Sequence, residues 1–253
     1  MENLNEYYGL NYDEDSRLTK DKFHSIEFLT TCQYLDKVLT KNSLILDCCA
    51  GTGAYSFYLA NKGHQVIAGD LIEHNVALIK EKQRSNSLLK GIYQGSILDL
   101  SSFEDDSFDA VLSMGAFYHL ESYHDRQKSI NECLRVLKKG GIFILSYINK
   151  HAVILNDCKN NSADICSILK YDNHPYKDIF YGSTPKEVIS LTNSLNLNKL
   201  YNIATDGIGY ILSSKINSSS DEEFEKWLQY HFSTCEDENL LGYSLHCLYI
   251  GYK

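Results

Sequence analysis

Short apolar runs alternate with stretches of helical periodicity through the first three-fifths of this chain. Residues 44–46, 65–69, 108–113 and 142–148 are brief runs rich in Leu, Ile, Val and Ala, bounded by Gly or polar turn residues, and Gly91-Ile-Tyr-Gln-Gly-Ser96 is a weaker candidate strand between the second and third of them. Runs of that length, apolar with little alternation, predict strands covered on both faces. Between them the apolar period changes. Over 19–39, Phe23, Ile26, Leu29, Cys32, Leu35, Val38 and Leu39 fall on one helical face. Shorter helices are predicted over 55–61, closed by Gly63, and over 72–84. A fourth helix carries Ile130, Cys133, Leu134 and Leu137, with Asp125 as the candidate cap and Gly140-Gly141 as the stop. Strand and helix alternating in this way predict βαβ units and a parallel sheet.

The second part is less regular. Thr184-Pro-Lys-Glu187 is a capping box with Pro at the first helical position, opening a helix to Leu195. A strand over 197–204, a helix over 222–231 and a last strand over 244–252 follow. Residues 149–183 read as irregular or partly helical, and 149–183 and 205–243 as two insertions on one domain spanning 1–253. Residues 1–40 form an arm and helix ahead of a core over 41–148.

The core turns on Leu44-Ile-Leu-Asp-Cys-Cys-Ala-Gly-Thr-Gly53. It reads as a buried strand, a tight turn and a helix start. Gly51 and Gly53 let the backbone approach a ligand and adopt positive φ, and the helix start offers free N–H groups. Gln65-Val-Ile-Ala-Gly-Asp70 is a second strand ending in a carboxylate, about 20 residues on, where nucleoside-binding folds place the acid that grips the ribose. The third and fourth signals are Phe108-Asp-Ala-Val-Leu-Ser-Met-Gly-Ala-Phe-Tyr-His-Leu120 and Arg135-Val-Leu-Lys-Lys-Gly-Gly-Ile-Phe143.

Together these segments resemble class I S-adenosylmethionine-dependent methyltransferases, of the kind that act on small molecules. The resemblance implies an α/β, doubly wound, Rossmann-like sheet of seven strands, mostly parallel, with an antiparallel last strand beside the fifth and helices on both faces. It implies S-adenosyl-L-methionine as cofactor, on Asp47, Ala50, Gly51, Gly53, Asp70, Leu71, Ser96, Ile97 and Met114. An N-terminal segment closing over the cofactor is implied for Tyr7, Tyr12 and Arg17, with Arg17 meeting the methionine carboxylate. One departure stands out: Cys49 replaces a usual Gly. If that position needs positive φ, the strain is roughly 1 kcal/mol or more. Ser96 stands where the family often has an acid, and Asp99 is either a nearby carboxylate or a loop-capping residue.

Tyr118 and His119 follow the fourth strand, at the edge where open parallel sheets bind ligands. They are the candidate catalytic pair, with His119 as general base for a hydroxyl or ammonium acceptor. The cluster Trp227, Tyr230 and His231 reads first as a packing face and second as a pocket wall.

Composition narrows the acceptor. With 24 Lys and Arg against 33 Asp and Glu, the net charge of −9 argues against a partner with a phosphate backbone. The insertions supply Tyr, His and Trp with few basic residues, which suits a small molecule. An RNA methyltransferase on the same core, or a cofactor-binding protein without turnover, is the alternative reading. No apolar run approaches the roughly 18 residues needed to cross a bilayer, and the first residues lack a basic and apolar leader, so a cytoplasmic, membrane-free protein is expected. Eight Cys without a CxxC pair fit reduced thiols. His231, Cys235, His246 and Cys247 match no zinc spacing, so no metal is expected. A monomer or homodimer is expected.

Overall fold

A computed structural model describes residues 4, 6–8, 13–85, 87–160, 164–169 and 179–253 of the chain. Helix α1 (Lys22–Val38) comes first, and Asp21 caps it by accepting the backbone N–H of His24 at 2.9 Å. Strand β1 (Leu44–Asp47) and helix α2 (Ala54–Asn61) follow, then β2 (Gln65–Asp70), α3 (Glu73–Ser85) and β3 (Gly91–Gln94). The alternation continues through β4 (Phe108–Ser113), α4 (Tyr123–Val136) and β5 (Leu137–Asn149). Ile45, Leu46, Val66, Ala68, Val111, Leu112, Ile144 and Leu145 are all buried, as central strands covered on both faces require.

Helices α5 (Lys150–Asn160) and α6 (Ile165–Leu169) fall within residues 149–183. They were not legible as helices because α5 buries only Ala152 among its side chains and so shows no apolar stripe. Strand β6 (Gly182–Ser183), α7 (Pro185–Ser194) and β7 (Asn198–Ala204) follow. Residues 205–243 hold α8 (Ser213–Asn217), α9 (Asp221–Thr234) and α10 (Glu238–Leu241), before β8 (His246–Tyr252) ends the sheet.

The strand order is β3-β2-β1-β4-β5-β8-β7. The five strands β3 to β5 are parallel, and β8 lies antiparallel between β5 and β7. The seven anticipated strands are joined by an eighth, the two-residue β6, which pairs with Ile148 and Asn149 at the end of β5. Two local readings change. Ser122, not Asp125, caps α4: its hydroxyl accepts the Asp125 N–H at 2.9 Å, which puts Asp125 in the first turn, where a carboxylate still suits the helix dipole. Among the described residues, the non-glycine ones with positive φ are Asn42, Asp106 and Asn196; Cys49 is not one of them, so the strain considered for it does not arise.

Candidate active site

The carboxyl ends of β1, β2 and β4 share one edge of the sheet, and the residues that follow them build the site. Gly51 has φ of 54° and Gly53 of 90°, both left-handed and both costly for any residue with a Cβ. A Cβ on Gly53 would also lie 3.0 Å from the Phe57 ring. The turn is tied to the neighbouring strand: the Ala50 N–H donates to the Gly69 carbonyl at 2.8 Å, and the Gly51 N–H to Asp70 Oδ2 at 2.9 Å. Asp70 Oδ1 accepts the Ile72 N–H at 2.8 Å and the Asn75 amide at 3.2 Å. Burial raises the Asp70 carboxyl above its usual range, opposed by these bonds.

Asp47 is almost wholly buried. Its Oδ2 accepts the Ser56 hydroxyl at 2.6 Å, and its Oδ1 has no partner among the described residues. Burial pushes its carboxyl up to about 7, with the Ser56 bond opposing and Asp70 adding. Leu71, 39 % exposed, lies directly beyond β2. Ile97 is buried, Ser96 Oγ accepts the Leu98 N–H at 3.2 Å, and Met114 is half-buried just past β4.

The N-terminal segment lies across this turn. Glu14 covers Gly51: a Cβ there would be 3.5 Å from Glu14 Cγ. Asp15 pairs with Lys82, whose ammonium also donates to the Thr52 carbonyl at 2.9 Å. Arg17 donates to both oxygens of Glu27, at 2.6 and 3.2 Å, and through Nε to Glu14 at 3.1 Å. Sequence reading singled out Arg17 but neither of these carboxylates, since both recur as ordinary helix or arm acids. Tyr12 lies outside the described residues.

A cavity of about 260 Å³ opens beside the turn, lined by Tyr7, Tyr8, Glu14, Arg17, Tyr118 and Phe180 together with Ile148, Asn156 and His246. The Tyr7 ring meets Phe180 edge-on at 5.7 Å, and Tyr118 lies 6.0 Å from Phe180. His119 sits behind this wall. Its Nδ1–H donates to the Ile179 carbonyl at 2.7 Å, which leaves Nε2 to accept the Tyr8 hydroxyl at 2.9 Å. Burial pushes its imidazole down to about 4. His119 is therefore a neutral ring with both nitrogens engaged, holding Tyr8 in place.

His246 is a different kind of histidine. Its Nδ1–H donates to Asp206 Oδ2 at 2.8 Å, and Glu27 lies 3.5 Å away. Asp206 is buried and also accepts the Ser244 hydroxyl at 2.6 Å. The residues are 40 apart in the chain, so no local spacing announces them. His231 does not reach the cavity lining. It is buried against α1, its Nε2 3.0 Å from the Thr30 hydroxyl, and the Trp227–Tyr230 contact at 5.7 Å is packing on α9.

This fold and turn define a class. Residues 46–145 match the family model described as "Methyltransferase domain". The chain is 31 % identical over 134 residues to a ubiquinone biosynthesis O-methyltransferase of Xanthomonas oryzae, covering 53 % of this chain and 55 % of that one. It is 33 % identical over 106 residues to a glycine/sarcosine N-methyltransferase of Parasynechococcus marenigrum, covering 42 % and 38 %. The chain thus spans about half the length, or less, of these relatives. A solved S-adenosylmethionine-dependent methyltransferase from Thermotoga maritima superposes with a TM-score of 0.62 over 99 % of this chain and 98 % of its own, at 14 % identity.

Proposed function

We propose that the protein transfers the methyl group of S-adenosylmethionine to a small-molecule acceptor with an oxygen or nitrogen nucleophile. The observation that carries this is the position of Glu14: one side chain both covers the Gly51 turn and lines the cavity, so the nucleoside-binding edge and a candidate acceptor space adjoin. The residues present fit the cofactor. Gly51 and Gly53 leave a backbone cradle that a Cβ would strain, Asp70 offers a carboxylate, and the buried, unpartnered Asp47 Oδ1 awaits a donor. Leu71, Ser96, Ile97 and Met114 would complete the nucleoside side.

S-Adenosylmethionine supplies a methyl group already activated on a sulfonium. The chain has to align the acceptor and exclude water, effects worth up to roughly 7–11 kcal/mol of barrier. The ring faces of Tyr7, Tyr118 and Phe180 also attract cations, by roughly 0.5–2 kcal/mol each. The relatives named for ubiquinone biosynthesis and for glycine and sarcosine support a small acceptor, as does the net charge of −9. The test is calorimetry with S-adenosylmethionine followed by radiolabelled methyl transfer to panels of amines, phenols and carboxylic acids. Micromolar cofactor binding with label moved to one panel is the expected result; absence of cofactor binding overturns the reading.

A further inference from the structure

We propose that His246, held by Asp206, is the proton acceptor of the cavity and that the acceptor it serves is an amine arriving as an ammonium ion. The proposal rests on the methyltransferase reading and names the substrate class of that same site. Three observations lead to it.

The first is the geometry of the imidazole. A carboxylate accepts only, so the 2.8 Å contact with Asp206 fixes the proton of the neutral ring on Nδ1. The lone pair then sits on Nε2, which has no hydrogen bond among the described residues, in a side chain that lines the cavity. This is the arrangement in which a base is oriented by a third group. Burial and Arg17 from the arm oppose the cation of the ring, but Glu27 on α1 and Asp206 after β7 outweigh them and raise the imidazole above its usual range. His119 lacks these features, because Tyr8 and Ile179 occupy both of its nitrogens.

The second is the local charge. Arg17 is matched by the bidentate Glu27, and a protonated His246 by Asp206. Glu14 remains. Among the described residues its ion-pair partner is Arg17, through Nε at 3.1 Å; burial raises its carboxyl, with Glu27 and Asp70 adding to the rise and Arg17 opposing it. Among the described residues, then, one negative charge at the cavity exceeds the positive charges beside it. A neutral hydroxyl acceptor leaves that excess standing, whereas an ammonium cancels it.

The third is the wall. Tyr7, Tyr118 and Phe180 present aromatic rings to the same space, and ring faces draw an ammonium through their quadrupoles. The chemistry then balances simply. An N–H bond of the ammonium breaks, its proton goes to His246 Nε2, and the electron pair remains on nitrogen as the nucleophile. The imidazolium is stabilised by Asp206 and returns the proton to water afterwards.

The test uses the whole protein, with and without S-adenosylhomocysteine, and two isosteric probes: benzylamine, protonated at neutral pH, and benzyl alcohol. Ligand-observed NMR should show benzylamine binding roughly tenfold tighter than the alcohol. Glu14→Gln should reduce that preference to about threefold or less. In protein labelled at histidine nitrogens, the free state should show His246 with a protonated Nδ1 and a bare Nε2, and benzylamine should move Nε2 towards the imidazolium position. Asp206→Asn should abolish the tautomer preference. If that variant does not fold, His246→Gln, which must erase the assigned signal, serves to confirm the assignment. Equal affinity for the two probes overturns the amine class, and an Nε2 signal unmoved by saturating benzylamine overturns the base. Failure of S-adenosylhomocysteine to bind, with the amine results intact, would instead fault the methyltransferase reading.

Discussion

The Gly51 N–H donates to Asp70 across 2.9 Å, so the turn after β1 and the acid at the end of β2 form one rigid unit before any ligand arrives. The same carboxylate accepts from Ile72, which fixes the start of the connection to α3. A ribose would meet a carboxylate whose orientation is already set, and little ordering entropy is then lost on binding.

Asp70→Ala should therefore act twice. Charge-assisted bonds to the ribose are worth roughly 1.5–3 kcal/mol each, so cofactor affinity should fall at least tenfold by calorimetry. Two backbone N–H groups also lose their acceptor, which should lower stability by about 1–3 kcal/mol in denaturant titration. Unchanged cofactor affinity would remove Asp70 from the binding site.

The arm should respond to the cofactor. Glu14 over Gly51 and the Asp15–Lys82 pair latch residues 13–18 onto the turn. These links are mostly surface ion pairs, individually worth roughly 0–1 kcal/mol, so the latch should open readily on its own. Hydrogen exchange over residues 13–18 should slow when S-adenosylmethionine is added, and Lys82→Met should weaken that protection. Exchange at the same rate in both states would separate the arm from the cofactor.

What the sequence disclosed follows from range. Parallel strands covered on both faces, such as 44–46 and 108–113, must be apolar throughout, and Gly51 and Gly53 sit where φ turns positive, so both were readable from a few adjacent residues. The capping box at Thr184 and Glu187 is equally local. The cap of α4 was misplaced by one turn because Ser122 and Asp125 are both competent caps, and only the folded backbone chooses between them. The cavity is different in kind. Arg17 meets Glu27 ten residues away, Tyr8 meets His119 across 111, and Asp206 meets His246 across 40. Such pairs leave no periodic trace. His119 attracted notice through its place after β4, whereas His246, in an apolar strand, looked like one more member of an unconvincing metal set.

The acceptor should not be a nucleic acid. Of the cations near the site, Arg17 is committed to Glu27 and Glu14, and Lys82 to Asp15 and the Thr52 carbonyl. With a net charge of −9, little remains to neutralise phosphates. Filter binding with mixed transfer and ribosomal RNA at low salt should show no saturation at micromolar protein. Tight binding that weakens steeply with added salt would favour the RNA alternative.

His119 and His246 should leave opposite marks on the pH dependence of stability. His119 has its imidazole pushed down to about 4 by burial, below the ordinary value of about 6.5. Between those values the unfolded chain binds the proton and the folded one does not, so stability is full above about 6.5 and is lost as pH falls towards 4. Its partial exposure reduces the loss to about 1.5–3 kcal/mol. His246 runs the other way: Glu27 and Asp206 raise its imidazole, so its contribution is present below about 6.5 and fades as pH rises through the folded value. Denaturant titrations across pH 4 to 8 on the wild type and His119→Gln isolate the first effect as a difference curve, because the other titrating groups are common to both proteins. That curve should slope between about 6.5 and 4 and lie flat above 7. A flat difference throughout would mean that His119 titrates as it does in the unfolded chain, and burial would then be too slight to hold it neutral against the cation-favouring bond to Ile179.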